Sequence, residues 1–306
     1  MPIKDMLLAL AVVIAWGVNF VVIKVGLEGM PPLLLAGLRF ACVAFPAIFF
    51  IAPPKLPLRW LVSYGLSISF GQFSLLFLSI KLGMPAGLAS LILQAQAFFT
   101  LLFGAVLLKE SLRLHNLLAM AIAAIGIALI GLSHSHYQNS FTLPALLLIL
   151  GAAASWGIGN ITNKVIMARY SVKIMSLVVW SALVPLLAFS LSSVIFEGTS
   201  TIYTSLVHIQ WHNILALFYL AVIATMLGYG CWGSLLSRYE TWRIAPLTLL
   251  VPVVGLVSAA VFVNEHLSTQ QLVGAAIVGI ALVFNVFGAR LLRARSTPPV
   301  NVSNRL

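Results

Sequence analysis

Ala15-Trp16-Gly17-Val18-Asn19-Phe20-Val21-Val22-Ile23-Lys24 is the stretch on which the fold turns. Ala15-Trp16-Gly17 with Lys24 returns as Ser155-Trp156-Gly157 with Lys164, a shift of 140 residues. Other pieces repeat in the same order. Pro46 returns as Pro185, and Lys109-Glu110-Ser111-Leu112 as Asn264-Glu265-His266-Leu267. Gly126-Ile127-Ala128-Leu129 returns as Gly279-Ile280-Ala281-Leu282. One such match carries little weight among common apolar residues, but four in order point to a duplicated unit.

The units are made of membrane helices. Of the 306 residues, 61% are hydrophobic and only 8% charged, against about 25% charged in a soluble domain. That leaves too little polar surface to cover a water-soluble globule, and excludes soluble enzymes, secreted disulfide scaffolds and disordered chains. Runs of about 20 apolar residues, enough to cross a bilayer, fall at 6–26, 33–51, 59–80, 86–108, 115–132, 141–163, 174–196, 213–237, 243–263 and 269–289. Turn chemistry separates them, as in Gly29-Met30-Pro31-Pro32 and Gly83-Met84-Pro85. The first run outlasts a signal-peptide core and has no cleavage site after it, so it reads as the first membrane helix.

Ten spans put both termini on one side, and the positive charges say which. With a cytoplasmic N-terminus, fourteen of the seventeen Lys and Arg lie in inner loops and tails, leaving Lys24, Arg39 and Lys81. The net charge of +11 is therefore a topology signal, and no nucleic-acid partner is expected. The organisation expected is a five-helix repeat at 1–137, a second at 138–295 and a cytoplasmic tail at 296–306. An odd number of spans per repeat inverts the second against the first. Inverted repeats place a transporter's substrate site near the midplane where they meet.

Chemistry-bearing motifs are scarce. No metalloprotease, nucleophile-elbow or phosphate-loop signature occurs, so no catalytic residue, metal or cofactor is expected. His134 and His136, with His208 and His212, lie in loops without acidic or cysteine neighbours. Cys42 and Cys231 read as small core residues.

The informative residues are polar ones inside spans, because an unpartnered amide in hydrocarbon is costly. Trp16, Asn19 and Phe20 share one face of the first span, and Trp156, Asn160 and Asn163 share one face of the sixth. Gln72 joins from the third span, Gln94 and Gln96 from the fourth, and Tyr229 and Trp232 from the eighth. Each amide has two readings, an interhelical hydrogen bond or a cavity wall. Gln94 and Gln96 stand about 200° apart on an α-helix, so one of them is expected to face a cavity. The cavity candidates are Trp16, Asn19, Gln72, Gln96, Trp156, Asn160 and Asn163, with Phe20, Gln94, Tyr229, Trp232 and Arg39 secondary.

Arg39 and Lys24 lie where snorkelling to the outer interface is the expected behaviour. Arg39 has no basic counterpart in the second half, which holds Val179 and Trp180 there. Glu110 and Glu265 end their helices and are expected to cap them or pair with basic neighbours. Pro46, Pro185, Pro246 and Pro252 interrupt apolar helices and are hinge candidates. No Asp or Glu lies in the middle of a span. A wall of amides and tryptophans suits a neutral or zwitterionic solute better than a lipophilic cation.

The first-span stretch quoted above resembles the EamA family of the drug/metabolite transporter superfamily. So do Gly83-Met84-Pro85-Ala86-Gly87-Leu88-Ala89-Ser90 and Gln94-Ala95-Gln96-Ala97-Phe98-Phe99-Thr100, with Tyr239-Glu240-Thr241-Trp242-Arg243 and Leu250-Val251-Pro252-Val253-Val254-Gly255-Leu256 in the second half. The resemblance covers all but the tail after Arg295. It implies ten helices in two inverted five-helix repeats, a bacterial inner-membrane location, and export of amino-acid metabolites such as O-acetylserine and cysteine. Carriage of other neutral or aromatic amino acids, small metabolites or drugs stays open, as does oligomeric state.

Overall fold

The computed structural model describes residues 2–133, 141–239 and 244–294. His134, His136, the stretch 240–243 and the tail lie outside the described residues. Among those described, ten helices are long and apolar enough to span a membrane. They are α1 (Ile3–Gly26), α2 (Pro32–Phe49), α3 (Leu58–Lys81), α4 (Ala86–Leu108), α5 (Leu114–Leu132), α6 (Leu143–Arg169), α7 (Ile174–Phe196), α8 (Trp211–Leu236), α9 (Pro246–Val263) and α10 (Thr269–Ala294). A short helix not expected from the sequence, Thr199–Val207, joins α7 to α8.

Local chemistry sets the helix ends. Pro32 stands in the first turn of α2, where its missing N–H costs nothing. The Thr142 side chain accepts from Ala145 N at 3.3 Å and starts α6. That helix runs to Arg169, six residues past the expected end, closing on the good helix formers Met167, Ala168 and Arg169. Helices α4 and α9 stop alike. Lys109 (φ 56°) and Asn264 (φ 49°) adopt the left-handed conformation. The next N–H groups return to Gly104 O at 3.2 Å and Ala259 O at 3.1 Å. These turns fix Glu110 and Glu265 just past the helix ends, at opposite ends of the bundle.

Several spans are broken internally. α2 leaves α-helical geometry at Phe45, beside Pro46, and α7 at Ala182, three residues before Pro185. α9 opens with a 3₁₀ segment, Ala245–Leu250, holding Pro246, and Pro252 follows at the start of its α-helical part. Each interruption sits where a proline withholds an N–H. α3 and α8 each contain a π-helical segment, Gly65–Gly71 and Tyr219–Leu227. Single π turns free a backbone carbonyl and occur often at functional sites.

The helices pair across the chain. α1 packs on α9 and α8, and α6 packs on α4 and α3; α2 meets α7, α5 meets α10, and α4 meets α9. Exchanging the halves maps this set of pairs onto itself. Glycines allow the closest approaches. A Cβ on Gly17 would lie 2.5 Å from Val254, and one on Gly157 would lie 2.9 Å from Phe99. Core residues such as Ile23, Leu35, Phe77 and Phe189 are fully enclosed, while Phe49, Phe50, Leu187, Phe196 and Phe262 are exposed on the outside, as lipid contact requires. Cys42 is exposed and Cys231 half-buried, which corrects the expectation of two core thiols. On α2, packed on α3, α7 and α8 through other faces, position 42 points away from the bundle.

Candidate functional site

The repeated Trp-Gly elements meet at the centre of the bundle, around a cavity of about 340 Å³, near the small end of the ordinary range for small-molecule sites. Trp16, Asn19, Gln72, Gln96, Trp156, Asn160 and Asn163 all line it. Phe20, Gln94, Tyr229, Trp232 and Arg39 line it too. The structure thus brings together all twelve residues singled out from the sequence. Ile174 joins the lining from α7, a span that offered no candidate.

Two expectations about the lining change. Both Gln94 and Gln96 face the cavity, because Leu93–Ala95 is a 3₁₀ turn. Three residues per turn bring positions two apart closer in angle than an α-helix does. Arg39 does not snorkel. It is 3% exposed, inside the bundle, because the face of α2 that carries it packs towards Phe73 and the π segment of α8. Its Nη2 donates to Thr225 Oγ1 at 2.9 Å, and its guanidinium carbon lies 4.1 Å from the centre of the Phe73 ring.

The amides divide by role. Asn160 Nδ2 donates to Gln96 Oε1 at 2.6 Å and to Thr100 Oγ1 at 3.0 Å, tying α6 to α4. Asn19 Oδ1, Gln72 Oε1 and Asn163 Oδ1 are buried without a hydrogen-bond partner in the protein. Buried polar atoms are nearly always bonded, so these three oxygens stand ready for a donor from a solute or water.

The π segments anchor the aromatics, and sequence reasoning missed them. Trp16 Nε1 donates to Ala224 O in the α8 segment at 2.9 Å. In the other half, Ser155 Oγ donates to Ser67 O in the α3 segment at 2.8 Å. Trp16 is thereby held against Tyr229 and Trp232, with ring centroids 5.6 and 5.4 Å apart. A weak signal lay in the glycines. Gly71 ends the α3 segment and Gly228 follows the α8 one, and a Cβ at either would strike Ser155 or Trp16.

The cavity reaches one end of the bundle only. Its lining on α6, α7 and α8 (Asn163, Ile174, Gly233 and Leu236 among them) comes from the half nearer the N-terminus. The far end is tied shut. Lys24 Nζ lies 2.6 Å from Glu265 Oε1, and the same carboxylate accepts from Ala86 N at 2.8 Å and Gly87 N at 3.0 Å. Lys24, expected to snorkel, is therefore paired. Glu197 accepts from Leu33 N and Leu34 N at 2.7 and 3.0 Å. Both carboxylates thus cap the positive start of a helix. The equivalent near-end pair, Lys164 and Glu110 at 2.5 Å, is 57% and 45% exposed. Among the described residues no group of His, Cys, Asp and Glu could hold a metal ion.

Ten apolar helices around a central cavity of amides and aromatics, closed at one end, define a multi-pass membrane transporter. The profile of the EamA-like transporter family matches residues 3–132 and again 143–287, and the chain belongs to that family. It is 58% identical to a probable amino-acid metabolite efflux pump of Salmonella typhimurium, over 95% of this chain and 97% of that one. It is 54% identical, over the same shares, to a protein of the same description from Escherichia coli. A solved crystal structure at 20% identity shares the fold, with a TM-score of 0.64 over 97% of this chain and 100% of the other.

Proposed function

We propose that the chain exports small amino-acid metabolites, O-acetylserine and cysteine among them, by alternating access. It is a multi-pass protein of the bacterial inner membrane. The relatives described as probable amino-acid metabolite efflux pumps support the class of solute. The observation that carries the mechanism is the contrast between the ends: an amide- and aromatic-lined cavity reaching the near end beneath a far end closed by Lys24, Glu265 and the start of α4.

With the N-terminus in the cytoplasm, the near end is the cytoplasmic one, and the structure is the loading conformation. A zwitterionic solute enters from the cytoplasm and meets Trp16, Asn19, Gln72, Gln96, Trp156, Asn160 and Asn163. The repeats at 1–137 and 138–295 then rock against each other, bending at Pro46, Pro185, Pro246 and Pro252. The pairing of helices across the halves supports this motion, because each near-end contact has a far-end counterpart to exchange with. The far-end tie opens, the near end closes, and the solute leaves.

Counterflow in liposomes holding the purified protein tests the reading. Vesicles loaded with unlabelled cysteine or O-acetylserine, and offered labelled solute outside, should show saturable accelerated uptake over protein-free vesicles. Folded protein that accelerates neither solute would sink the substrate claim. Uptake that never saturates would sink the carrier claim.

A further inference from the structure

A guanidinium keeps its charge at every physiological pH, and Arg39 places one near the middle of α2 with 3% of its surface exposed. A charge so placed demands a counter-charge or a full set of hydrogen bonds. The protein supplies little of either. Nη2 donates to Thr225 Oγ1, whose own hydroxyl donates to Leu220 O at 2.7 Å across the α8 π segment. Phe73 offers its ring face. Nε and Nη1 have no partner in the protein, and no ion pair among the described residues includes Arg39. The side chain borders both the main cavity and a small recess leading from it past Tyr64, Ser69 and Ser181.

Resting on the export reading above, we infer that Arg39 is the receptor for the solute's carboxylate. Nε and Nη1 each form one edge of the planar guanidinium with Nη2, which keeps a second N–H beside the one given to Thr225, and along such an edge a carboxylate accepts two parallel hydrogen bonds. The neighbouring lining is arranged for the opposite pole. Asn19 Oδ1 and Gln72 Oε1 are acceptors without donors, and the Trp16, Tyr229 and Trp232 cluster presents aromatic faces. An ammonium suits both. The second half has no basic residue at the equivalent place; there Val179 is buried and Trp180 Nε1 is spent on Ile51 O at 2.8 Å. One guanidinium in an otherwise two-sided cavity therefore orients the solute and selects α-amino monocarboxylates over amines and neutral amides.

The test is binding to the full-length protein in detergent, read by tryptophan fluorescence from the cavity wall. Cysteine is compared with cysteinamide, and propionate with propionamide. Wild type should prefer each carboxylate by about tenfold or more, the scale of hydrogen bonds to a charged partner. Arg39→Gln should bind both members of a pair equally, and Arg39→Lys should keep part of the preference. Equal binding of acid and amide by wild type overturns the inference, whether or not the variants fold. A preference that survives in folded Arg39→Gln overturns it as well. Selection of propionate over propionamide, with neither cysteine nor O-acetylserine bound, keeps Arg39 as the carboxylate receptor and removes the export substrates instead.

Discussion

Lys24 at the end of α1 meets Glu265, just past the end of α9, at 2.6 Å, and the pair has a second duty. Glu265 also accepts the first free N–H groups of α4, from Ala86 and Gly87. One carboxylate thus joins three helices from both halves, with its side chain 9% exposed against 38% for Lys24. The near-end pair of Lys164 and Glu110 is open to solvent on both partners, and exposed ion pairs contribute about 0–1 kcal/mol. The same residue types at equivalent places therefore hold one end firmly and the other weakly.

Glu265→Gln should cost about 1.5–3 kcal/mol of stability, the range for hydrogen bonds to a charged group, and should lower flux. Exchanging the charges, with Lys24→Glu and Glu265→Lys together, should fail to restore either property. A lysine cannot accept from Ala86 N and Gly87 N. Thermal unfolding in detergent and liposome counterflow read both effects, and full rescue by the exchange would show that the charge pair alone matters. Glu110→Gln should change stability by less than Glu265→Gln.

Glycine substitutions separate close helix contacts from open ones. Gly157→Ala drives a methyl to 2.9 Å from Phe99 Cβ and 3.1 Å from backbone atoms of Phe99 and Thr100. Overpacking of this kind costs about 1–3 kcal/mol. Gly279→Ala meets nothing within 4 Å and should be neutral or slightly stabilising, since alanine favours the helix. Melting temperatures of the two variants in the same detergent decide it.

Asn19 and Asn160 should behave differently although both line the cavity. Asn160→Ala removes two interhelical bonds and leaves Gln96 Oε1 unpaired, so stability should fall by about 1 kcal/mol and flux with it. Asn19→Ala deletes an oxygen that has no partner in the protein. Stability should hold while the concentration for half-maximal counterflow rises. Unchanged transport in both variants at normal expression would remove these amides from the solute's path.

Trp16→Phe keeps an aromatic ring near Tyr229 and Trp232 but leaves Ala224 O without its donor. A lost hydrogen bond of this kind is worth about 1 kcal/mol. The melting temperature should drop accordingly, and counterflow should fall less than in Trp16→Ala, which removes the ring as well.

Among the described residues the cavity lining contains no carboxylate. Export is therefore expected to run down the solute's own gradient. Flux into liposomes should be insensitive to an imposed pH gradient, and a strong dependence would place proton coupling at groups near the helix ends.

Much of the site was legible because helical periodicity is a local property. Asn19 follows Trp16 by three positions and Asn160 follows Trp156 by four, so each pair shares a face, and an apolar environment leaves a polar face few places to point. The ten spans were legible for a similar reason: only a helix about 20 residues long satisfies its own backbone across hydrocarbon. The ends of α4 and α9 were partly legible in the repeated Glu110 and Glu265.

Arg39 shows where local reasoning stops. Its helix is apolar on every side, so periodicity names no face, and a long side chain in such a helix has two escapes, towards the interface or into the bundle. The choice depends on Phe73 and Thr225, which are 34 and 186 residues away in the chain. The π segments are similar. Nothing in Tyr219–Leu227 specifies a wider turn, and the segment is met by an indole 208 residues distant that takes the freed carbonyl. Sequence alone determined that this chain crosses a membrane ten times with polar faces to hide, because those constraints act within a single helix. Which polar groups found partners, which were left for a solute, and which end of the cavity closed were decided by contacts between helices, and those exist only after packing.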